Sequence, residues 1–220
     1  MRLVVGFVLF ALVVPVAAGA AVDPRAPRQQ HTAADTKLAK SIVLRRADFA
    51  PGWALDPPAK PSPPCTAGPD ESNFVQTAKV NPSYTYKDHI TNVGSEVDVF
   101  RKTADARSDW RASTPSLLGT CLVQSASAGF GKKVHVRLAS TTRLSPPKGV
   151  ERGLHYRYVL VVRSTRTTNF VIDVVALGRG RVTAVLYTLS VQAPLPASAV
   201  TALTGVLAAR LNATRGGITA

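Results

Sequence analysis

Acidic side chains are scarce in the second half of this chain. From residue 130 to the C-terminus, thirteen Lys or Arg stand against Glu151 and Asp173, a balance of +11. Residues 21–129 hold thirteen basic and eleven acidic residues, so nearly all of the formal net charge of +14 belongs to the second half. Cysteine is almost absent. Cys65 and Cys121 are the two present, which excludes a multiply bridged scaffold and a cysteine-rich metal site. The four histidines, His31, His89, His135 and His155, lack zinc-ligand spacing, so no metal site is expected. There is no Gly-x-Ser-x-Gly elbow. The run Gly129-Phe130-Gly131-Lys132-Lys133 lacks both the earlier glycine of a phosphate loop and the hydroxyl residue after its first lysine. With no catalytic or cofactor motif, a binding role is expected ahead of an enzymatic one, and no cofactor is expected. After residue 20 no apolar run is long enough to cross a bilayer; the densest, residues 159–162, reads as a buried strand.

What is present begins with an export signal. Arg2 gives a positive start, residues 3–17 are almost wholly apolar, and Ala18-Gly19-Ala20 supplies small residues for cleavage. Residues 1–20 are therefore read as a signal peptide and the mature chain as secreted or extracytoplasmic. Residues 21–31, with Pro24 and Pro27, read as a flexible leader. A single α+β domain is expected over 32–212, with a tail at 213–220. In an oxidising compartment Cys65 and Cys121 should bond, which would stabilise the fold by about 4 kcal/mol in the chain-entropy picture.

Periodicity orders the elements. Thr32 and Asp35 fit a capping box before a helix over 33–46, with Leu38, Ala39, Ile42 and Val43 on one face. Six prolines between Pro57 and Pro69 make an extended loop around Cys65. Strands are expected over 83–90 and 95–101, joined by a turn at Asn92-Val93-Gly94. A helical stretch follows over 104–125. Pro115 splits it, with Thr114 as the cap of the second helix. Four β-branched runs come next, over 132–144, 154–166, 169–177 and 181–191, and a last helix over 197–211. Glycines at 178 and 180 mark a hairpin between the last two strands. The expected fold is an antiparallel sheet of about five to six strands packed with an N-terminal, a middle and a C-terminal helix.

Alternation assigns the strand faces. Leu154, Tyr156, Tyr158, Leu160 and Val162 form an apolar face, as do Val134, Val136 and Leu138. The opposite face carries His135 and Arg137 on one strand and His155 and Arg157 on another. Arginine forks suit carboxylate and phosphate, so these four residues are the candidate ligand-binding set, provided their strands are neighbours in a register that brings them together. Tyr156 and Tyr158 interleave with Arg157 in the manner of a stacking platform. They share the apolar face, however, and export removes most nucleic acid, so no nucleic-acid partner is expected.

The layout is similar to that of small secreted actinobacterial sensor-like domains. These include the extracellular sensor domain of a mycobacterial serine/threonine kinase and photosystem-subunit-like lipoprotein folds. The residues that carry the likeness are a first helix closing on Ala47-Asp48-Phe49-Ala50-Pro51-Gly52-Trp53, Cys65 in a proline-rich loop, Trp110 and Cys121 in mid-chain helix, then antiparallel strands and a last helix. The kinase sensor domain has more than one disulfide, whereas two cysteines here permit one. The resemblance implies an α+β sandwich that binds a ligand without catalysis. The expected function is thus an exported, non-catalytic binding or sensor-like domain for an anionic envelope component or a small anion. The alternative is a secreted hydrolase with no recognisable motif, whose mark would be a buried titratable cluster in a pocket.

Overall fold

The structure, a computed structural model, describes residues 24–58, 65–131 and 134–214. The expected signal peptide, residues 59–64 of the proline-rich run and the tail beyond residue 214 lie outside the described residues. Among those described, four helices and nine strands form an α+β fold around one mostly antiparallel sheet.

The sheet runs β1-β3-β5-β9-β8-β7-β6. Its long strands are β5 (Asn92–Phe100), β7 (Arg152–Arg163), β8 (Thr167–Arg179) and β9 (Val182–Val191), with β6 (His135–Arg143) as an outer edge. These are the β-branched runs of the sequence. Short links between them force antiparallel neighbours. The β8–β9 turn falls at Gly180, whose φ of +50° is a backbone region that side chains other than glycine rarely enter.

More strands form than the five to six expected. β1 (Arg28–Gln29) pairs parallel to β3 (Val75–Val80), and β2 (Trp53–Leu55) pairs with β4 (Ser83–Tyr86). These pieces are short, two to six residues, and long-range pairing rather than local pattern holds them. The end of the expected leader is thereby joined to the sheet. Arg25 adds to this by donating to the carbonyls of Cys65, Thr66 and Gly68. The turn expected at Asn92-Val93-Gly94 is instead strand. The chain reverses at 87–91, where the Asp88 carboxylate accepts from the amides of Ile90 and Thr91.

Helices cover both faces. α1 (Ala33–Ile42) and α4 (Ala197–Ala213) bury Ala39, Ile42, Leu203, Leu207 and Leu211 against Val97, Val99, Leu177 and Leu186. On the other face α3 (Pro115–Phe130) lays Leu118, Leu122 and Val123 on Tyr158, Leu160, Ile172 and Val174. The clean even face of β7 is thus core beneath α3. α2 (Thr103–Ala112) ends just before Thr114, whose hydroxyl caps α3, and Pro115 occupies the first helical position, as the sequence predicts. Thr32 caps α1, accepting from the amide of Asp35. The Asp35 carboxylate does not complete a capping box with the Thr32 amide, because that amide donates to Thr77 in the sheet and the carboxylate turns to Arg181.

Cys65 and Cys121 are bonded, with Cα atoms 5.2 Å apart. Beside the bridge, Gln124 and Thr66 exchange two hydrogen bonds of 3.1 and 2.8 Å. A proline-rich loop that cannot bury its own core is in this way attached to α3.

Candidate functional site

The register separates the four expected site residues into two places. β7 and β8 pair Arg157 with Asp173 and His155 with Val175. Arg157 forks onto the buried Asp173 carboxylate, with Nε 2.7 Å from Oδ1 and Nη2 2.9 Å from Oδ2. His155 Nε2 stands 3.8 Å from the same carboxylate, within ion-pair reach but beyond hydrogen-bond distance. Burial alone would raise the Asp173 carboxyl, yet His155 and Arg157 together hold it below its ordinary value. The guanidinium fork is therefore already filled from inside the protein.

His135 and Arg137 lie elsewhere. On the β6 edge they pair with Arg163 and Val161, while Thr142, not Arg137, stands opposite Arg157. Four residues of strand, about 13 Å at 3.3 Å per residue, separate the two pairs. What β6 does bring together is His135, Arg137 and Arg163, around a shallow hollow of about 120 Å³ that includes Val136 and Val161. Arg166 sits in the β7–β8 hairpin directly beyond Arg163. All four of these basic side chains are exposed, and among the described residues none is in an ion pair.

Five other arginines of the sheet-rich half behave differently, while Arg143, at the far end of β6, is exposed. Arg152 meets Glu151, Arg157 meets Asp173, Arg179 meets Asn212, Arg181 meets Asp35, and Arg210 meets Asp48. Folding thus sorts the basic excess. Those five arginines are spent on internal acceptors, and the β6–β7 corner gathers exposed basic groups. Arg163 and Arg166 belonged to the expected strand but not to the expected site, since their placement beside His135 depends on register alone.

A second site has no counterpart in the sequence reading. Across five strands, on the face covered by α2 and α3, the register aligns Lys79, Asp98, Thr183, Gly178 and Arg152 in one row. Gly178 has a positional reason: a Cβ there would come within 2.5 Å of the Arg152 guanidinium, which lies across it. Trp110 of α2 covers that guanidinium, 5.7 Å from its ring centre. Beside the row, where the α2–α3 break opens the helical layer, is a cavity of about 160 Å³. Ala176, Thr183 and Val185 of the sheet line it, as do Glu96, Asp98 and Tyr187, and Asp109, Trp110 and Ser113 from the helical side.

The carboxyls here are under strain of environment. Burial is the largest influence on Asp98 and pushes it well above the ordinary range, with Glu96 two residues away adding repulsion against Lys79. Burial likewise lifts Asp109 to about 6, although a hydrogen bond with Glu71 pulls the other way. Burial would lower the Lys79 ammonium, but Asp98 and Glu96 reverse that and raise it. The one sequence signal for this site is Glu96 and Asp98 at alternate positions inside the apolar strand Val93–Phe100, two acids on one face where core residues are expected.

Among the described residues no group of three His, Cys, Asp or Glu could hold a metal ion, and no helix is long and apolar enough to cross a membrane. No protein-family model matches the chain, and no curated protein matches its sequence.

Proposed function

We propose that this chain is an exported, non-catalytic binding domain of the sensor-like kind, which holds anionic groups of the cell exterior at the corner made by His135, Arg137, Arg163 and Arg166. The observation that supports this most is the gathering of charge: five arginines of the same half are matched internally, whereas His135, Arg137 and Arg163 stand exposed around one hollow, with Arg166 beyond them. Arginine forks accept carboxylate and phosphate oxygens two at a time, and their exposure leaves those donors available. An edge strand with free backbone groups beside them suits an extended polymer better than an enclosed small molecule. The disulfide accords with an oxidising compartment.

The hydrolase alternative draws on the buried titratable cluster around Asp98 and Asp109. Among the described residues neither histidine nor cysteine lines that cavity, and its bases are the carboxyls Glu96, Asp98 and Asp109, so the histidine- or cysteine-based nucleophile arrangements do not support this alternative. Binding is the better supported reading.

Co-sedimentation with lipoteichoic acid, against neutral dextran as control, tests the proposal. Retention should be specific to the anionic polymer and weaken with added salt. Arg137→Gln combined with Arg163→Gln should lower affinity by roughly tenfold or more, about one charge-assisted contact each. Retention unchanged by that double substitution would remove the corner from consideration.

A further inference from the structure

The cavity under the α2–α3 joint lies on the sheet face opposite the basic corner, and its chemistry has the opposite sign. Four carboxyls meet there: Glu96, Asp98 and Asp109 in its lining, and Glu71 through its hydrogen bond with Asp109. Lys79 answers them from one side, 2.8 Å from Glu96 and 3.8 Å from Asp98. Arg152 approaches from the other side; Glu151 holds its Nη1 at 2.8 Å and the Gly180 carbonyl its Nη2 at 3.0 Å, while its buried Nε has no partner. The cavity is left with more carboxyl than cation.

A second observation is independent of that count. Thr183 is 6% exposed and lines the cavity, yet its Oγ1 has no hydrogen-bond partner. Leaving a buried hydroxyl unpaired is costly, so its position marks a place where a hydrogen-bonding guest would be favoured. The remaining wall is apolar and aromatic, with Trp110, Leu118, Leu154 and Tyr187. Aromatic faces attract cations and give alkyl chains a surface to lie on.

We propose that this cavity is a binding site for a compact organic cation, a protonated alkylamine whose ammonium donates to Glu96, Asp109 and Thr183 Oγ1 while its alkyl chain packs on Trp110 and Tyr187. An anion would meet the carboxyls. A bare metal ion would lack a third ligand of suitable geometry among the described residues. A neutral apolar guest would bury the carboxyls and the threonine hydroxyl without a donor. A volume of about 160 Å³ matches an amine of a few carbons and excludes a polymer.

The test is a fluorescence titration of the full chain carrying Trp53→Phe, so that Trp110 alone reports. The probes are n-butylammonium, n-butanol and butyrate. Butylammonium should give a saturable change below ~100 mM, butanol a response at least roughly tenfold weaker, and butyrate none, since one charge-assisted contact corresponds to about that ratio. Asp109→Asn should weaken butylammonium binding by roughly tenfold and Thr183→Val by about threefold, with near-ultraviolet circular dichroism unchanged. The proposal is overturned if butanol titrates as well as butylammonium, if no probe gives a saturable change, or if both substitutions leave the affinity intact.

Discussion

Asp35 and Arg181 stand 146 residues apart in the chain and are joined by two hydrogen bonds of 2.6 and 2.9 Å. The pair ties the first turn of α1 to the start of β9, and Arg181 also donates to the Phe100 carbonyl at 3.1 Å. The guanidinium fork is the largest influence on the Asp35 carboxyl and holds it below its ordinary value. Because the folded carboxyl is depressed, its contribution is complete above the unfolded value of about 3.9 and is lost as pH falls through the folded value. Asp35→Asn leaves a buried arginine without its counter-charge and should cost about 3–5 kcal/mol at pH 7, read from urea denaturation. The loss should shrink as pH falls through the folded value, where the wild-type Asp35 carboxyl is itself protonated. A loss that stays constant across the acid range would show that the charge is not what the position supplies.

Arg157 and Arg163 sit on the same strand and should give opposite phenotypes. Arg157→Gln uncovers Asp173, which is 1% exposed, and should destabilise the fold by about 3 kcal/mol while leaving lipoteichoic acid binding unchanged. Its acid-unfolding midpoint should move to higher pH, because the carboxyl loses a cation that holds it down. Arg163→Gln should weaken binding and barely alter thermal stability. Reversed phenotypes would place the anion site at Arg157 after all.

Reduction of the Cys65–Cys121 bond should lower stability by roughly 2–5 kcal/mol, seen as a fall in Tm with dithiothreitol. The Cys65→Ser, Cys121→Ser double variant should melt at the reduced wild-type temperature and ignore the reductant. A Tm unchanged by reduction would mean that the hydrogen bonds between Thr66 and Gln124 suffice to seat the loop.

Asp109 predicts a slope of the other sign. Its carboxyl is raised to about 6 in the folded protein, above the unfolded value, so the folded state holds more protons between pH ~4 and ~6. Stability should therefore fall as pH rises across that window and level off above it. Asp109→Asn should flatten the slope and stabilise the protein at pH 7 by on the order of 2 kcal/mol. Denaturant midpoints measured across pH 4–7 decide this; an unchanged slope would assign it to Asp98.

The parts of the fold that could be read in advance rest on local physics. Thr114 and Pro115 mark the α2–α3 break because a cap and a proline act within one turn. The apolar even face of β7 is legible because strand alternation has a period of two. The Cys65–Cys121 bond was legible because the chain has two cysteines and the N-terminal run reads as an export signal. β1, β2 and β3 were not legible, since segments of two to six residues become strands only when a partner edge supplies their hydrogen bonds. The candidate site was half legible: His135 and Arg137 fall on an exposed margin as alternation requires, but His155 and Arg157 do not join them.

Composition and periodicity by themselves determined that this chain carries its basic excess on a β-rich half, and which face of each strand is buried. They could not say which arginines would be neutralised, because Asp173 and Asp35 reach Arg157 and Arg181 only through strand pairing and helix packing. Register, a property of pairs of strands, also made the row from Lys79 to Arg152 and placed Thr183 beneath the α2–α3 break. A strand's own sequence fixes the face on which a side chain lies, whereas its neighbour there is chosen by the whole sheet.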